Sequence, residues 1–233
     1  MVCFAMQASA QDAMIVCPGG SYCWHDMKTE GGDVAAELEK RGVKAYVVKY
    51  RVSGIFAYVT HSRLLIRGNQ YPDALEDVRK AFANARKELG KDARIGIVGF
   101  SAGGHLALLA AMDSVCDPCV SAAIYPVVTM QKPYVHKRSR RGLLGEYRKF
   151  SRTMRDSLSL EKHADRVRCP VFLLNCKDDP TVDWHNSVLM DSALTAADKP
   201  HLYLQFDEGG HGFGTTKHDW LDKFLNWFRR NGK

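Results

Sequence analysis

Residues 94–112 read Arg-Ile-Gly-Ile-Val-Gly-Phe-Ser-Ala-Gly-Gly-His-Leu-Ala-Leu-Leu-Ala-Ala-Met, and their character changes in the middle. Arg94–Val98 is a short run rich in β-branched residues, the pattern of a buried strand. Ala102–Met112 is an Ala- and Leu-rich stretch long enough for a helix. Between them stands Gly99-Phe100-Ser101-Ala102-Gly103. By chance alone Gly-x-Ser-x-Gly is a weak pattern. A strand before it and a helix after it turn it into a nucleophile elbow, with Ser101 as candidate nucleophile. The two glycines allow close backbone approach, and the helix N-terminus favours negative charge developing at the hydroxyl.

Working outward, strand-like runs alternate with helical ones. Ala13–Cys17, Val43–Tyr50, Ser121–Val128, Val171–Asn175 and His201–Phe206 read as further strands. Val34–Arg41, Asp73–Leu89, Asn186–Ala197 and Lys217–Arg229 read as helices. Strands joined through single helices imply a mostly parallel sheet of about six strands with helices on both faces. Residues 129–165 interrupt this rhythm and read as a small cap over the strand ends. Only about a dozen residues precede the first strand, so strands that a larger relative would carry there are expected to be missing. The expected division is an arm or signal-peptide remnant over 1–12 and one α/β domain over 13–233.

A serine hydroxyl needs a base, and the base needs an orienting acid. His211 lies in Gly209-Gly210-His211-Gly212-Phe213-Gly214, directly after the last strand, and is the candidate base. Asp178 and Asp179 both follow the strand Val171–Asn175; the Asp179-Pro180-Thr181-Val182 context favours Asp179, with Asp178 as a loop-stabilising carboxylate. Oxyanion donors are expected from Ala102 and from the loop Pro18-Gly19-Gly20-Ser21-Tyr22, at Gly20 and Ser21. Tyr22, Trp24, Trp184 and Phe213 are the expected substrate contacts.

Pro18-Gly-Gly-Ser-Tyr22, Tyr50-Arg51-Val52, Tyr71-Pro72-Asp73-Ala74, Gly99-Phe-Ser-Ala-Gly-Gly-His105, Ile124-Tyr125-Pro126-Val127, Asp178-Asp179-Pro180, Asn186-Ser187 and Gly209–Gly214 run in order. Together they resemble the acetylxylan-esterase-like branch of the α/β-hydrolase superfamily, related to carbohydrate and feruloyl esterases, over about residues 13–230. The resemblance implies an α/β-hydrolase fold and ester hydrolysis without metal or organic cofactor. It implies a small ester or acetylated oligosaccharide as substrate. Two departures stand out: Asp183 where the family often has proline, and an unusually basic segment around Lys137–Arg141. A prolyl-oligopeptidase-like serine peptidase shares the triad and its order, and a catalytically silent binding module shares the fold.

Composition sets the remaining bounds. The chain has 233 residues, 45% apolar and 25% charged, with a net charge of +7. No apolar run approaches the roughly 20 residues of a membrane span, and no membrane partner is expected. Nine Lys/Arg fall between Lys132 and Arg155 with one acid, Glu146, among them; without a recognisable nucleic-acid module this reads first as a solvated basic face. Homo-oligomerisation stays open. Seven cysteines cannot all pair internally, and Cys116-Asp117-Pro118-Cys119 lacks the second ligand pair of a zinc site; it reads as a turn, then as a local disulfide. Ala8-Ser9-Ala10 has a signal-peptidase pattern without the basic start or long apolar core, leaving a periplasmic or secreted and a cytoplasmic destination both open.

Overall fold

The computed structural model describes residues 11–54, 68–90 and 92–232. Among these residues six strands form one sheet: β1 (Asp12–Cys17), β2 (Lys44–Val47), β3 (Arg94–Phe100), β4 (Ser121–Ile124), β5 (Val171–Cys176) and β6 (His201–Phe206). Their spatial order is β2-β1-β3-β4-β5-β6, and every neighbouring pair is parallel. This is the parallel α/β sheet that the alternating sequence pattern predicts.

Alternation along the strands divides the core. Ala13, Ile15, Ile97, Ala123 and Leu173 face α2 (Asp73–Leu89), α3 (Ala102–Ala111) and α6 (His185–Ala196). Met14, Val16, Val98, Ile124, Phe172 and Leu174 face α1 (Asp33–Lys40) and α7 (Trp220–Asn231). Trp220, Leu221, Phe224, Leu225, Trp227 and Phe228 are the buried apolar face of α7, at the spacing of one helical stripe.

Three boundaries differ from the sequence expectation by three residues or more, each for a local reason. The strand expected over Val43–Tyr50 pairs over Lys44–Val47, because β1, its ladder partner among the described residues, ends before Pro18; Tyr50 instead donates its hydroxyl to the Pro18 carbonyl at 2.6 Å. The strand expected to reach Val128 stops at Ile124, because Tyr125 takes φ +38°. The last helix starts at Trp220 rather than Lys217, because His218 and Asp219 hold φ of +68° and +44°. The cap expected at 129–165 contains α4 (Lys137–Arg148), α5 (Arg152–Ser157) and part of a 3₁₀ turn, Leu160–Arg166.

Asn186 anchors the base of that cap. Its Oδ1 accepts the Val128 and Thr129 N–H groups at 2.9 and 3.0 Å, and its Nδ2 donates to the Tyr134 carbonyl at 2.9 Å. Since all strands are parallel, the loops after β1, β3, β4, β5 and β6 gather at one end of the sheet, where ligands of open α/β sheets bind.

Candidate active site

Ser101 stands between β3 and α3 with φ +54° and ψ −115°, a conformation disfavoured for a residue with a Cβ. Its neighbours hold it there. The Ser101 N–H donates to the Ile124 carbonyl at 2.9 Å, and its own carbonyl accepts the Val127 N–H at 3.1 Å. A Cβ on Gly99 would stand 2.0 Å from the Gly103 carbonyl oxygen, and one on Gly103 2.0 Å from that of Cys17. Both glycines are therefore dictated by close backbone approach.

The structure brings Ser101, His211 and Asp179 together. His211 Nε2 lies 2.9 Å from Ser101 Oγ, and His211 Nδ1 lies 2.6 Å from Asp179 Oδ2. A carboxylate only accepts, so Nδ1 carries the proton and Nε2 is left to accept from the hydroxyl. Asp179 is also oriented by the Thr181 and Val182 N–H groups, which donate to its other oxygen at 2.8 and 3.0 Å. Asp178 points elsewhere and accepts the Gly209 and Gly210 N–H groups at 3.1 and 2.8 Å. Those bonds, Gly210 first, hold its carboxyl below the usual carboxylate range.

The loop after β1 supplies a concave backbone. Gly20, Ser21 and Tyr22 take φ of +134°, +57° and +59° in succession. Gly20 is obligatory, since a Cβ there would stand 2.1 Å from the Trp24 carbonyl oxygen. The Gly19 N–H is occupied by Glu30, whereas the N–H groups of Gly20 and Ser21 donate to no acceptor among the described residues. Ala102 opens α3, where an N–H has no partner within the helix.

An elbow serine, a histidine after the last strand and an aspartate after the preceding one coincide with a match to the family model "Prolyl oligopeptidase family" over residues 35–233. The chain belongs to the prolyl oligopeptidase family. The resemblance to acetylxylan-esterase-like hydrolases is borne out alongside it. An acetylxylan esterase from Xylanibacter ruminicola is 28% identical over 235 residues, covering 98% of this chain. The chain spans 45% of the length of that relative. The crystal structure of an acetyl ester-xyloside bifunctional hydrolase from Caldicellulosiruptor lactoaceticus superposes with a TM-score of 0.81 at 28% identity, over 97% of this chain and 85% of that one. A truncated carbohydrate esterase from gut microbiota matches in fold, with a TM-score of 0.77 at 18% identity over 97% of this chain and 87% of that one.

In this prolyl oligopeptidase family member, two of the four expected substrate contacts are buried instead. Tyr22 is 2% exposed, and its hydroxyl donates to His105 Nδ1 at 2.8 Å. His105 Nε2 in turn donates to the Leu158 carbonyl at 3.0 Å, so Tyr22 ties the loop after β1 to α3 and the cap. Burial pushes His105 down to about 4, which keeps it neutral as that chain of bonds requires. Phe213 is 4% exposed and packs edge-on against Tyr125, with ring centroids 4.7 Å apart. Both side chains fill the core, because the backbone turns that place Gly20 and His211 aim them inward. Trp24 is exposed, and Trp184 is half-exposed and stacked on His185 at 3.7 Å.

The basic segment divides into structural and surface charges. Arg148 donates to Gln70 Oε1 and to the Tyr71 carbonyl, both at 2.9 Å, Arg140 donates to the Met130 carbonyl, and Arg141 and Lys149 both pair with Glu146. α4 packs on the loop after β1 at Gly142, where a Cβ would stand 2.3 Å from the Ser21 carbonyl oxygen. At the start of α4 a cleft of about 440 Å³ is lined by Val135, His136, Lys137, Arg138 and Arg141. His136, which lines this cleft, feels the charges of His211 and Asp179. Burial, then the charge of His211, pushes the His136 imidazole down to about 4.

Glu30 and Tyr125 are site residues that the sequence reading missed as such. Glu30, at 3% exposure, accepts the Gly19 N–H and the Tyr125 O–H, each at 2.7 Å. Tyr125 was visible only as part of Ile124-Tyr125-Pro126-Val127, and nothing in the spacing of Glu30 marks it for burial. Cys116 and Cys119 carry free thiols, so the local disulfide is not formed. Among the described residues no cluster of His, Cys, Asp or Glu is arranged to hold a metal ion.

Proposed function

We propose that this chain is a serine carboxylic-ester hydrolase that works through an acyl-enzyme and removes acetyl groups from plant polysaccharide such as xylan, or from its oligosaccharides. The observation that carries the reading is the unbroken chain from Ser101 Oγ through His211 to Asp179, at 2.9 and 2.6 Å. Ser101 Oγ adds to the ester carbonyl carbon as its proton passes to His211 Nε2. The resulting oxyanion is held by the N–H groups of Gly20, Ser21 and Ala102. Asp179 keeps the imidazole in the productive tautomer and stabilises the imidazolium. The imidazolium then protonates the departing alkoxide, leaving acetyl-Ser101. Water repeats the sequence, giving its proton to His211 and releasing acetate and free Ser101. No step calls for a metal or an organic cofactor.

The names of the relatives support an acetylated carbohydrate as substrate. Trp24 and Trp184 offer aromatic faces on which a sugar ring can stack. The test is a panel of p-nitrophenyl esters from acetate to octanoate beside acetylated xylo-oligosaccharides. Turnover of acetate and release of acetate from the oligosaccharides are expected; preference for octanoate overturns the acetylesterase reading.

The family match favours a second reading, amide hydrolysis by the same triad. Aminoacyl p-nitroanilides separate the two, since an esterase leaves them intact. A fluorophosphonate probe, which labels Ser101 in either enzyme, separates both from a catalytically silent binding module.

A further inference from the structure

Glu30 sits in the single turn Lys28–Gly32 that joins the loop after β1 to α1. A carboxylate taken out of water is costly unless its charge is compensated. Among the described residues no Lys or Arg pairs with it; its partners are the Gly19 N–H and the Tyr125 O–H. Burial, with Asp26 adding to it, leaves its carboxyl raised above the usual carboxylate range, while the Tyr125 and Gly19 bonds and the charge of His211 oppose the rise. A residue chosen only to fill this place could be apolar, so a carboxyl group here needs a reason.

The bonds form a directed chain across three loops of the site. The Gly214 N–H donates to the Tyr125 oxygen at 3.2 Å, the Tyr125 O–H donates to Glu30 Oε1, and the Gly19 N–H donates to Glu30 Oε2. Gly19 is squeezed between Glu30 and the nucleophile: a Cβ on it would stand 2.6 Å from Glu30 Oε2 and 2.9 Å from Ser101 Cβ. The Tyr125 ring lies 4.6 Å from the His211 ring, centroid to centroid. One carboxylate thus touches the peptide next to the free amides of Gly20 and Ser21, and through Tyr125 it reaches both the His211 ring and the loop that carries it.

We propose that Glu30 is a positioning residue for acyl transfer, whose anionic carboxylate fixes the oxyanion loop and the His211 loop relative to each other. Tyr125 is the intermediary. Bonds to an ionised acceptor are stronger than neutral ones, and a chain of them in a buried site is mutually reinforcing. The buried negative charge also favours the imidazolium that forms when Ser101 attacks. The inference rests on the serine-hydrolase reading and deepens it.

The test compares wild type, Glu30→Gln and Tyr125→Phe on p-nitrophenyl acetate, with rates divided by the number of sites that a fluorophosphonate titrates. Glu30→Gln keeps the shape, loses the charge and can no longer accept both bonds. Its expected effect is a fall of about 10–100-fold in kcat and in the phosphonylation rate of Ser101, with KM within about twofold, the pattern of an interaction felt in the transition state. His211 bonds Asp179 and Ser101 and packs on Tyr125, and it shares charge interactions with His136 and with Glu30, which in turn feels Asp26; only Glu30 changes charge in this variant. Losing that anion disfavours the imidazolium, so the acid limb of kcat/KM is expected to move to lower pH by ~0.5 unit. Tyr125→Phe, which leaves Gly19 held, is expected to lose less, and the double variant no more than the sum. An unchanged kcat per titrated site in Glu30→Gln, or a loss confined to the fraction folded, overturns the proposal. Should Glu30→Gln not fold, an unchanged kcat in Tyr125→Phe overturns it. An inactive wild type that no fluorophosphonate labels overturns the hydrolase reading instead.

Discussion

Asp179 Oδ2 lies 2.6 Å from His211 Nδ1, while the adjacent carboxylate, Asp178, accepts the two N–H groups of Gly209 and Gly210 on the loop that carries that histidine. Two neighbouring aspartates therefore hold the same loop by different atoms: one orients the imidazole, the other the backbone beneath it.

This division predicts unequal effects of removing each charge. Asp179→Asn presents an amide to Nδ1 and favours the wrong tautomer, so kcat is expected to fall on the order of 10³–10⁴. Asp178→Asn keeps one acceptor for the glycine amides and is expected to stay within about tenfold of wild type. Steady-state kinetics on p-nitrophenyl acetate decide, and the reverse ranking would move the orienting role to Asp178.

The elbow predicts a contrast between two small substitutions. Ser101→Ala fits the space and should leave the protein folded, with its circular dichroism intact and turnover lost. Gly103→Ala puts a methyl 2.0 Å from the Cys17 carbonyl oxygen and must push β1 away from α3. It is expected to lower the melting temperature markedly, because overpacking against backbone has no cheap relaxation. A Gly103→Ala protein as stable as wild type would refute the close approach.

His105 predicts a pH dependence of stability. Its folded-state value of about 4 lies below the ordinary 6.5, so between those values the unfolded chain binds more protons than the folded one. Stability is complete above about 6.5 and falls as pH drops toward 4, by about 2 kcal/mol at pH 5 from this group. Urea unfolding at pH 7.5 and 5 measures the loss, and His105→Gln should flatten the difference.

The inward turn of Tyr22 predicts that its hydroxyl matters to folding rather than to substrate. Tyr22→Phe leaves His105 Nδ1 buried without its donor, at a cost of about 1–3 kcal/mol. KM for p-nitrophenyl acetate is expected to hold. A raised KM at unchanged stability would return Tyr22 to the substrate side.

The cleft at the start of α4 predicts a salt-dependent preference for acidic substrates. Lys137, Arg138 and Arg141 line it, Arg141 pairing also with Glu146, and among the described residues no acid does. Acetylated oligosaccharides bearing uronic acids should show higher kcat/KM than neutral ones at low salt, converging at high salt as screening grows. Equal values at all salt concentrations would reduce these residues to a solvated face.

Much of this site was legible in the sequence because its parts are local. Gly99 and Gly103 specify a turn through the room their missing side chains leave, and the change from a β-branched run to an Ala- and Leu-rich one marks strand and helix on either side. His211 could be picked from nine histidines by its place after the last strand between glycines. The strand ends at Val47 and Ile124 were not legible, because they depend on where a ladder partner stops and on one left-handed tyrosine.

The parallel α/β architecture, the elbow and the order of the candidate triad are written in the chain, since periodicity, glycine placement and chain order are properties of neighbouring residues. Asp179 was already favoured by its Asp-Pro-Thr-Val context, and the fold places it on the imidazole; that Tyr22 and Phe213 turn into the core and that Glu30 is buried under the site came from the three-dimensional arrangement. Each of those outcomes depends on which distant group lies within hydrogen-bonding or packing reach, and that distance is set only when the loops of five parallel strands meet at one end of the sheet.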